Sequence, residues 1–466
     1  MQTLFYKNIK YSFVAQFLQL SLSVCITLFL PFLLGVEDFG YWQLFIFYTQ
    51  YAGFLAFGLV DGIYLREGGK KYRELNYRSI GFQQRILFLI NLCFFVVLAF
   101  FAYYTNNPNR SYVIITSGIF MLVTNTTNFY SMVLSAVHEI KTASIGRMCF
   151  SVSFLVFILI SLFCLRIDNY RIYIIAYILC YSFYMFYCLR NSSEICVYVF
   201  KNTGWDYKQE LFDNLKQGFV LTIANVAGML LLGIARFFID SKWGIEVFGM
   251  VSYSLVLVNF VLMFIAQLSS VLYPELRCLD KNVLNHYFNK IQHILLLLTP
   301  LLLITYFPVS YFIDILLPDY NEAAYFMIYM LPICIYEAKV MLQTNTYFKV
   351  LNQPKAMMLS NVEALFFGVV MSAISVYYFE NVTLTIVVMP LTIFLQYIFS
   401  LKRLRPNSYI KDLKTILPEF IIILFFVLDN IFVPIKTWAL IVYIAAIFVY
   451  IFSRRRLAKD VLKSII

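Results

Sequence analysis

Long apolar stretches follow one another along almost the whole chain. Each has the roughly 20 residues that an α-helix needs to cross the apolar part of a bilayer. Fourteen such stretches can be counted, with centres between residues 22 and 445. None shows the alternating pattern of a β-barrel strand. The pattern therefore predicts an all-α integral membrane protein with about fourteen transmembrane helices.

A short motif occurs twice, each time directly after a long apolar stretch. Residues 35–40 read GVEDFG, and residues 244–249 read GIEVFG. Because six predicted spans separate the two copies, both copies have the same orientation in the membrane. The repeat predicts two parallel six-helix bundles and two additional C-terminal helices. The predicted boundaries are 1–213 for the first bundle with its linker, 214–410 for the second bundle, and 411–466 for the last two helices with a basic cytoplasmic tail.

Composition and charge agree with a membrane protein and set its orientation. Hydrophobic residues make up 62% of the chain and charged residues 13%, which is far from the balance of a soluble domain. With a cytoplasmic N-terminus, 28 of the 36 Lys and Arg residues fall in inward segments and five in outward loops. This asymmetry predicts that both termini are cytoplasmic. The net charge of +11 then faces anionic lipid headgroups, and we expect no nucleic-acid partner.

Three tryptophans lie where the spans are predicted to reach the outer surface: Trp42, Trp243 and Trp438. Tryptophan is enriched at both membrane–water interfaces. The sequence therefore predicts an interfacial belt that includes all three.

Motifs of enzymes are missing from the sequence. There is no Gly-x-x-x-x-Gly-Lys-Ser/Thr loop to bind a nucleotide phosphate. The nine cysteines stand singly, and the three histidines have no neighbouring cluster of carboxylates or cysteines. We therefore expect no metal site, no cofactor and no enzymatic activity.

Charged residues inside predicted spans are the strongest candidates for function. Such charges are costly in lipid, and they usually face a bundle interior or an aqueous cavity. The candidates for substrate binding are the cations Arg236, Lys339, Arg147 and Arg85. The candidates for ion coupling or charge pairing are the carboxylates Glu363, Glu337, Asp240 and Asp61.

For two of these cations, an ion pair with a carboxylate is the alternative to substrate binding. Asp240 follows Arg236 by one helical turn on the same face, so the two form either a local ion pair near the interface or a partly neutralised cationic site. Lys339 and Glu363 come to similar depth if spans ten and eleven form an antiparallel hairpin. A structural Lys339–Glu363 ion pair is therefore the alternative to substrate binding by Lys339.

The remaining candidates also have simpler interpretations. Arg85 and Arg147 lie nearer to the predicted cytoplasmic surface, which their long side chains are able to reach. Asp61 stands between Gly58 and Gly62, where it is expected to mark a helix end.

Several features together resemble one family. They are the Gly-x-Glu-x-Phe-Gly motif after span one, the Arg236-Phe237-Phe238 stretch that ends span seven, fourteen spans, a parallel six-span repeat and a basic C-terminus. This combination is similar to the polysaccharide flippases of the MOP superfamily, relatives of the O-antigen flippases. In that family an Asp commonly precedes the Arg of span seven, whereas Ala235 stands there in this chain.

The resemblance implies a substrate, a location and partners. It implies a flippase that carries a polyprenyl-diphosphate-linked oligosaccharide across the bacterial cytoplasmic membrane by alternating access. Membrane lipids, and the polymerase and glycosyltransferases of the same pathway, are the other partners that it implies. Because the chain lacks an ATPase motif, net movement would depend on an ion gradient, the membrane potential or removal of the product.

Two other classes of protein stay open at this point. A multidrug cation exporter of the same superfamily also has paired six-span bundles, but it favours an acidic cavity and usually lacks the last two spans. A membrane polysaccharide polymerase requires a sizeable outward loop with catalytic polar residues. The longest outward loop here, near residues 310–322, is short.

The predicted topology is testable with reporter fusions. A reporter fused after Ile466 is expected on the cytoplasmic side and one inserted near Asn107 on the outer side, because of the asymmetry in Lys and Arg. Paired alkaline phosphatase and fluorescent-protein fusions measure the two locations. If both reporters lie on the same side, the fourteen-span assignment is wrong.

Overall fold

The structure is a computed structural model, and it describes residues 2–201, 206–279, 281–406, 409–455 and 457. Helices form nearly all of the regular structure, and the described residues include no strand. Residues 202–205 of the predicted linker and residues 458–466 of the predicted basic tail lie outside this part of the chain. The predicted all-α class is confirmed.

Contacts divide the chain into two compact units, unit 1 at Met1–Val226 and unit 2 at Ala227–Ile466. The division falls inside one long helix, not at the predicted boundary between residues 213 and 214. The helices up to and including this long one are α1 Gln2–Gln50, α2 Leu59–Glu67, α3 Tyr77–Tyr104, α4 Pro108–Ala136, α5 Ile140–Ile160, α6 Tyr170–Arg190, α7 Ser193–Phe200 and α8 Lys208–Arg277.

Unit 2 contains the second part of α8 and the nine helices that follow. Two of its membrane-length stretches contain a turn of another helix type, a 3₁₀ turn at Thr299–Thr305 and a π-helical turn at Val340–Asn345. The helices are α9 Lys281–Leu298, α10 Tyr306–Leu316, α11 Asn321–Met330, α12 Pro332–Lys339, α13 Thr346–Val350, α14 Pro354–Tyr377, α15 Val382–Leu404, α16 Tyr409–Phe432 and α17 Lys436–Ser453.

Ten helical stretches of the described chain are long and apolar enough to cross a membrane, or eleven if a pair bent by 44° at Leu331 forms one span. Two of the ten, Lys10–Ala56 and Lys208–Ser269, have 47 and 62 residues and are each long enough to cross twice. Helix α4 has 29 residues and is a further element of membrane length. If each of the two long stretches counts as two spans and the bent pair as one, these segments and α4 match the fourteen predicted spans in number and order.

The two long stretches break at equivalent glycines of the repeated motif. Gly35 has φ 67° and ψ 177°, and Gly244 has φ 84° and ψ −172°. Both lie in a backbone region that glycine alone adopts readily. The two copies of the motif therefore make the same turn between consecutive spans, which supports the repeat predicted from the sequence.

The second span of unit 1 is also interrupted, near its middle. The chain forms a 3₁₀ turn at Ala52–Ala56, and then Phe57 and Gly58 have positive φ before α2 begins. The buried side chain of Asn125 donates a hydrogen bond of 2.9 Å to the carbonyl of Ala52 and one of 2.7 Å to Asn91 Oδ1. A helix break inside a membrane requires such internal partners for the freed backbone groups.

Glycines let α2 approach the first part of α8 within unit 1. A Cβ built on Gly62 would lie 1.9 Å from the carbonyl oxygen of Asn214, and one on Gly218 would lie 1.9 Å from that of Gly58. Helices in membranes associate closely where small residues face each other. This contact explains why the first part of α8 belongs to unit 1.

Trp42 does not belong to an interfacial belt, contrary to the sequence prediction. Its side chain is fully buried in unit 1, with its ring centroid 6.1 Å from that of Phe154 and 5.6 Å from that of Tyr177. Aromatic rings gain both area burial and favourable edge-to-face contacts in such a cluster. The position of Trp42 at the end of an apolar stretch did not determine which face of the helix its side chain occupies. Trp438, in contrast, is exposed.

The positive φ of the two motif glycines leads to a stability prediction. Gly35→Ala and Gly244→Ala are each expected to cost about 1–3 kcal/mol, because a residue with a Cβ is strained at these angles. Thermal unfolding of the purified protein in one detergent measures the effect.

Gly53→Ala is the matched control, since a Cβ there meets nothing within 4 Å and no positive φ is required. It should leave the melting temperature nearly unchanged. If all three variants melt together, the two glycines are not needed for the turn.

Candidate functional site

The candidate site in unit 1 begins with a row of tyrosines on α6. Tyr177, Tyr181 and Tyr184 are spaced by four and three residues, so they lie on one face of the helix. Aromatic neighbours fix the first two rings. The Tyr177 centroid is 5.2 Å from that of Phe150, and the Tyr181 centroid is 5.0 Å from that of Phe120.

A glycine on α5 places the third tyrosine beside an arginine. A Cβ on Gly146 would lie 2.4 Å from the ring of Tyr184, so α5 and α6 approach closely only because this residue is glycine. Arg147 follows it and interacts with the hydroxyl of Tyr184. That hydroxyl also shares a hydrogen bond of 2.6 Å with Ser131 Oγ of α4. Tyr184 is thus held from two sides next to the guanidinium.

These side chains line a cavity of about 370 Å³ in unit 1, which we call the Arg147 cavity. Its lining comes from both spans of α1 and from α4, α5 and α6. Arg147 is the only charged residue among those that line it. The lining residues are Gln19, Ile46, Thr49, Gln50, Phe120, Thr124, Asn128, Arg147, Phe150, Tyr177, Tyr181 and Tyr184.

The chemistry of the Arg147 cavity favours an anionic, hydroxyl-rich ligand. A guanidinium presents several donors in a planar fork that matches the two oxygens of a carboxylate or phosphate. The amides and hydroxyls around it are uncharged donors and acceptors, and the rings supply apolar surface. No carboxylate lines the cavity to attract an organic cation.

A second cavity in unit 1 is apolar. It has a volume of about 480 Å³ and lies beside the interrupted second span. Of its lining, Tyr48, Tyr51 and Ser117 carry the only side-chain polar atoms; the other residues are Ala52, Phe54, Leu55, Leu98, Phe101, Ile114 and Met121. Such a lining accommodates hydrocarbon and offers no charged group.

Unit 2 contains a buried ion pair that the sequence did not predict. Lys339 Nζ pairs with a carboxylate oxygen of Glu419 on α16, and both side chains are fully buried. The ammonium also lies 5.6 Å from the ring centroid of Tyr397, whose hydroxyl donates a 2.8 Å hydrogen bond to Gln343. These partners enclose Lys339 completely, and this placement favours a structural role over substrate binding.

The predicted Lys339–Glu363 pair is therefore wrong. Glu363 pairs instead with Arg403 of α15 at 2.5 Å, on a partly exposed side of the unit. The prediction used only the depth of the two residues in an antiparallel hairpin. Depth does not decide which way a side chain points around its helix axis, and here the two residues have different neighbours.

Arg236 of unit 2 is buried within α8 itself. Its Nη2 and Nε donate hydrogen bonds of 2.8 and 3.2 Å to Ser252 Oγ, and its guanidinium lies 5.1 Å from the ring centroid of Phe248. Phe248 belongs to the repeated motif, so Arg236 joins the two spans on either side of Gly244. Asp240 is also buried. This placement favours a structural role for Arg236 over a position on open cavity surface.

The structure places the other three predicted site residues separately. Arg85 donates a 3.0 Å hydrogen bond to the carbonyl of Lys201 and does not line the Arg147 cavity. Asp61 is in the first turn of α2 and accepts a 3.2 Å hydrogen bond from Thr222, in agreement with a helix-end position. Glu337 is partly buried on α12, and it makes no ion pair or hydrogen bond to another described residue.

Sequence reasoning missed the tyrosines of the cavity and Glu419. The spacing of Tyr177, Tyr181 and Tyr184 on α6 is a sequence signal for one shared face. Glu419 lies near the start of an apolar stretch, directly after Pro418. Like Glu363, a carboxylate inside a predicted span indicates a cation as its partner.

Solved structures, but no protein families, match this chain. No family model and no curated protein is similar to it at a significant level. The fold described above is shared with solved membrane transport proteins. The structure of a lipid II flippase, MurJ, in an inward closed conformation is similar with a TM-score of 0.69 and 12% identity, covering 98% of this chain and 99% of that chain.

Transporters with the same fold match over a smaller part of this chain. An inward-facing MATE multidrug-resistance transporter of the MOP superfamily has a TM-score of 0.61 and 12% identity, covering 87% of this chain and 99% of its own. A MOP-superfamily transporter from Pyrococcus furiosus, with a binding pocket of reverse polarity, has a TM-score of 0.52 and 12% identity and covers 87% and 96%. At these identities the likeness establishes the fold.

The Lys339–Glu419 pair leads to a test by double substitution. Lys339→Met or Glu419→Gln alone is expected to cost about 3–5 kcal/mol and to lower the amount of folded protein, because each leaves a buried charge without its partner. The double variant with both substitutions should recover most of the folded protein. Fluorescence-detection size-exclusion chromatography measures the folded fraction.

Glu363→Gln is the matched control, since its ion pair with Arg403 is partly exposed and contributes little. It should be tolerated alone and should not rescue Lys339→Met. Rescue by Glu363→Gln instead of Glu419→Gln would contradict the observed pairing.

Proposed function

We propose that this chain is a flippase that moves a polyprenyl-diphosphate-linked oligosaccharide from the inner to the outer leaflet of a bacterial cytoplasmic membrane. The observation that carries the proposal is the Arg147 cavity, whose only charged lining residue is a cation. The head of such a substrate combines negative charge with many hydroxyl groups, which cannot cross hydrocarbon unaided. A cavity with a guanidinium, amides and tyrosines provides partners for both kinds of group.

The similarity to the lipid II flippase supports this substrate class. It extends over 98% of the chain, whereas the MATE transporter covers 87%, a difference of about fifty residues. Helices α16 and α17 with their connection span residues 409–453, a segment of similar length. The last two helices are thus the part in which a flippase-like chain is expected to differ from a twelve-helix exporter.

We infer that the protein is not an enzyme and works by alternating access. The phosphate-loop motif of an ATPase is missing from its sequence. The driving force would then be an ion gradient, the membrane potential or removal of the product. Among the predicted substrate-binding residues, we assign substrate binding to Arg147. We assign structural roles to Lys339 and Arg236 because their partners are buried.

A multidrug exporter is the second candidate function, and the fold of the MATE transporters favours it. An exporter of organic cations requires a negative or strongly aromatic cavity. The Arg147 cavity is aromatic, but its one charge would repel a cation. The flippase proposal accounts for the arginine, and the exporter does not.

Deletion of the gene in its native host distinguishes these functions. The deletion strain is expected to accumulate polyprenyl-diphosphate-linked glycan, which mass spectrometry of a lipid extract detects, and to lose a surface polysaccharide. Re-expression of the wild-type chain should reverse both effects. Arg147→Gln should fail to reverse them at equal protein level, because it removes the charge of the cavity.

Arg190→Gln is the matched control, since Arg190 is an exposed residue in the last turn of α6, outside the cavity. This variant should complement fully. If the deletion strain becomes sensitive to cationic drugs and accumulates no lipid-linked glycan, the flippase proposal is wrong.

A further inference from the structure

The number of charges in the Arg147 cavity restricts what it is able to bind. A diphosphate group carries more than one negative charge, and protein sites for it usually supply several cations, a metal ion or the N-terminus of a helix. The cavity supplies one guanidinium, and the other polar groups that line it are uncharged. One bidentate guanidinium matches one carboxylate. The charge of the cavity thus fits a singly charged group better than the diphosphate of the lipid carrier.

The uncharged residues that line the cavity suit the hydroxyl groups of a sugar that carries such a carboxylate. Gln19, Gln50 and Asn128 each offer an amide with both donor and acceptor atoms, and Thr49 and Thr124 add hydroxyls. Sugar hydroxyls require this mixture of donors and acceptors. The volume of about 370 Å³ is at the small end of ligand cavities, in the range for one or a few rings.

Packing fixes the tyrosines before a ligand arrives. Tyr184 is held by Ser131 and by its contact with Gly146, and Tyr177 lies 5.6 Å from the buried ring of Trp42. A preorganised site loses less conformational entropy when it binds. The ring faces and hydroxyls therefore have defined positions relative to Arg147.

We infer that the Arg147 cavity binds an acidic sugar of the transported oligosaccharide, with Arg147 as the partner of the sugar carboxylate. This inference rests on the proposed flippase function and adds the class of sugar to it. The cavity would then select glycans that contain a uronic-acid-type residue. Arg147 is its specificity-determining residue, and the diphosphate of the carrier binds elsewhere.

Three small probes test this selection with the full-length protein in lipid nanodiscs. They are methyl β-D-glucuronide, methyl β-D-glucoside, which replaces the carboxylate by a hydroxymethyl group, and inorganic diphosphate. Thermal stabilisation at increasing probe concentration gives the apparent affinities. The glucuronide is expected to bind about tenfold more tightly than the glucoside, the factor given by one modest charge-assisted interaction.

Variants of Arg147 assign the effect to the cavity. Arg147→Gln should remove the preference for the glucuronide, and Arg147→Lys should keep part of it because the charge remains without the fork. Arg190→Gln should behave as the wild type. Equal binding of the two glycosides by the wild type, or an unchanged preference in Arg147→Gln, would overturn the inference, and so would tighter Arg147-dependent binding of diphosphate.

The composition of the accumulated glycan separates this inference from the proposed function. Mass spectrometry of lipid extracts from the deletion strain should show a lipid-linked glycan that contains an acidic sugar. A glycan of neutral sugars only would overturn the inference and leave the flippase function standing. If no glycan accumulates, both are wrong.

Discussion

A membrane interior supplies no hydrogen-bond partners, and this constraint governs where polar side chains stand in both units. In unit 1 the interrupted second span exposes the carbonyl of Ala52, which Asn125 satisfies. In unit 2 the cation of Lys339 is matched by the carboxylate of Glu419, and that of Arg236 by Ser252 and the Phe248 ring. Each of these groups has its partners inside the same unit.

Arg147 differs from these residues because its surroundings are a cavity. Its neighbours are hydroxyls, amides and aromatic rings around a space of about 370 Å³. A cation in such a place is able to change partners when a ligand enters, whereas an enclosed pair such as Lys339–Glu419 cannot do so without losing a buried interaction. This contrast is the reason to connect function with Arg147 and stability with the other two cations.

The class of fold could be predicted from the sequence because bilayer thickness imposes a length on every span. The turn between consecutive spans could also be located, since Gly35 and Gly244 stand at the same place in a repeated motif and share one backbone conformation. Partners within the bundles could not be predicted in this way. Lys339 and Glu363 have similar predicted depth, but the angular position of each side chain around its helix is set by packing, which hydropathy does not encode.

The site shows the same limit. Arg147 was a candidate because a charge in a span is rare, and the sequence alone could not separate a cavity from an interface as its surroundings. The structure adds neighbours of Arg147 that carry no charge: Gly146, whose missing Cβ leaves room for Tyr184, and the row of tyrosines on α6. Their shared face was readable from their spacing, but the cavity depends on which helices pack around α6.

Translocation in a purified system is the most direct test of glycan transport that depends on Arg147. Lipid-linked glycan isolated from a strain without this protein is reconstituted with it into proteoliposomes, and the fraction of glycan accessible to an external glycan-oxidising reagent is followed over time. The wild-type chain is expected to move the glycan between leaflets, and Arg147→Gln is expected to slow this movement about tenfold or more at equal protein content. Equal rates for the two proteins, or no movement with the wild type, would contradict this expectation.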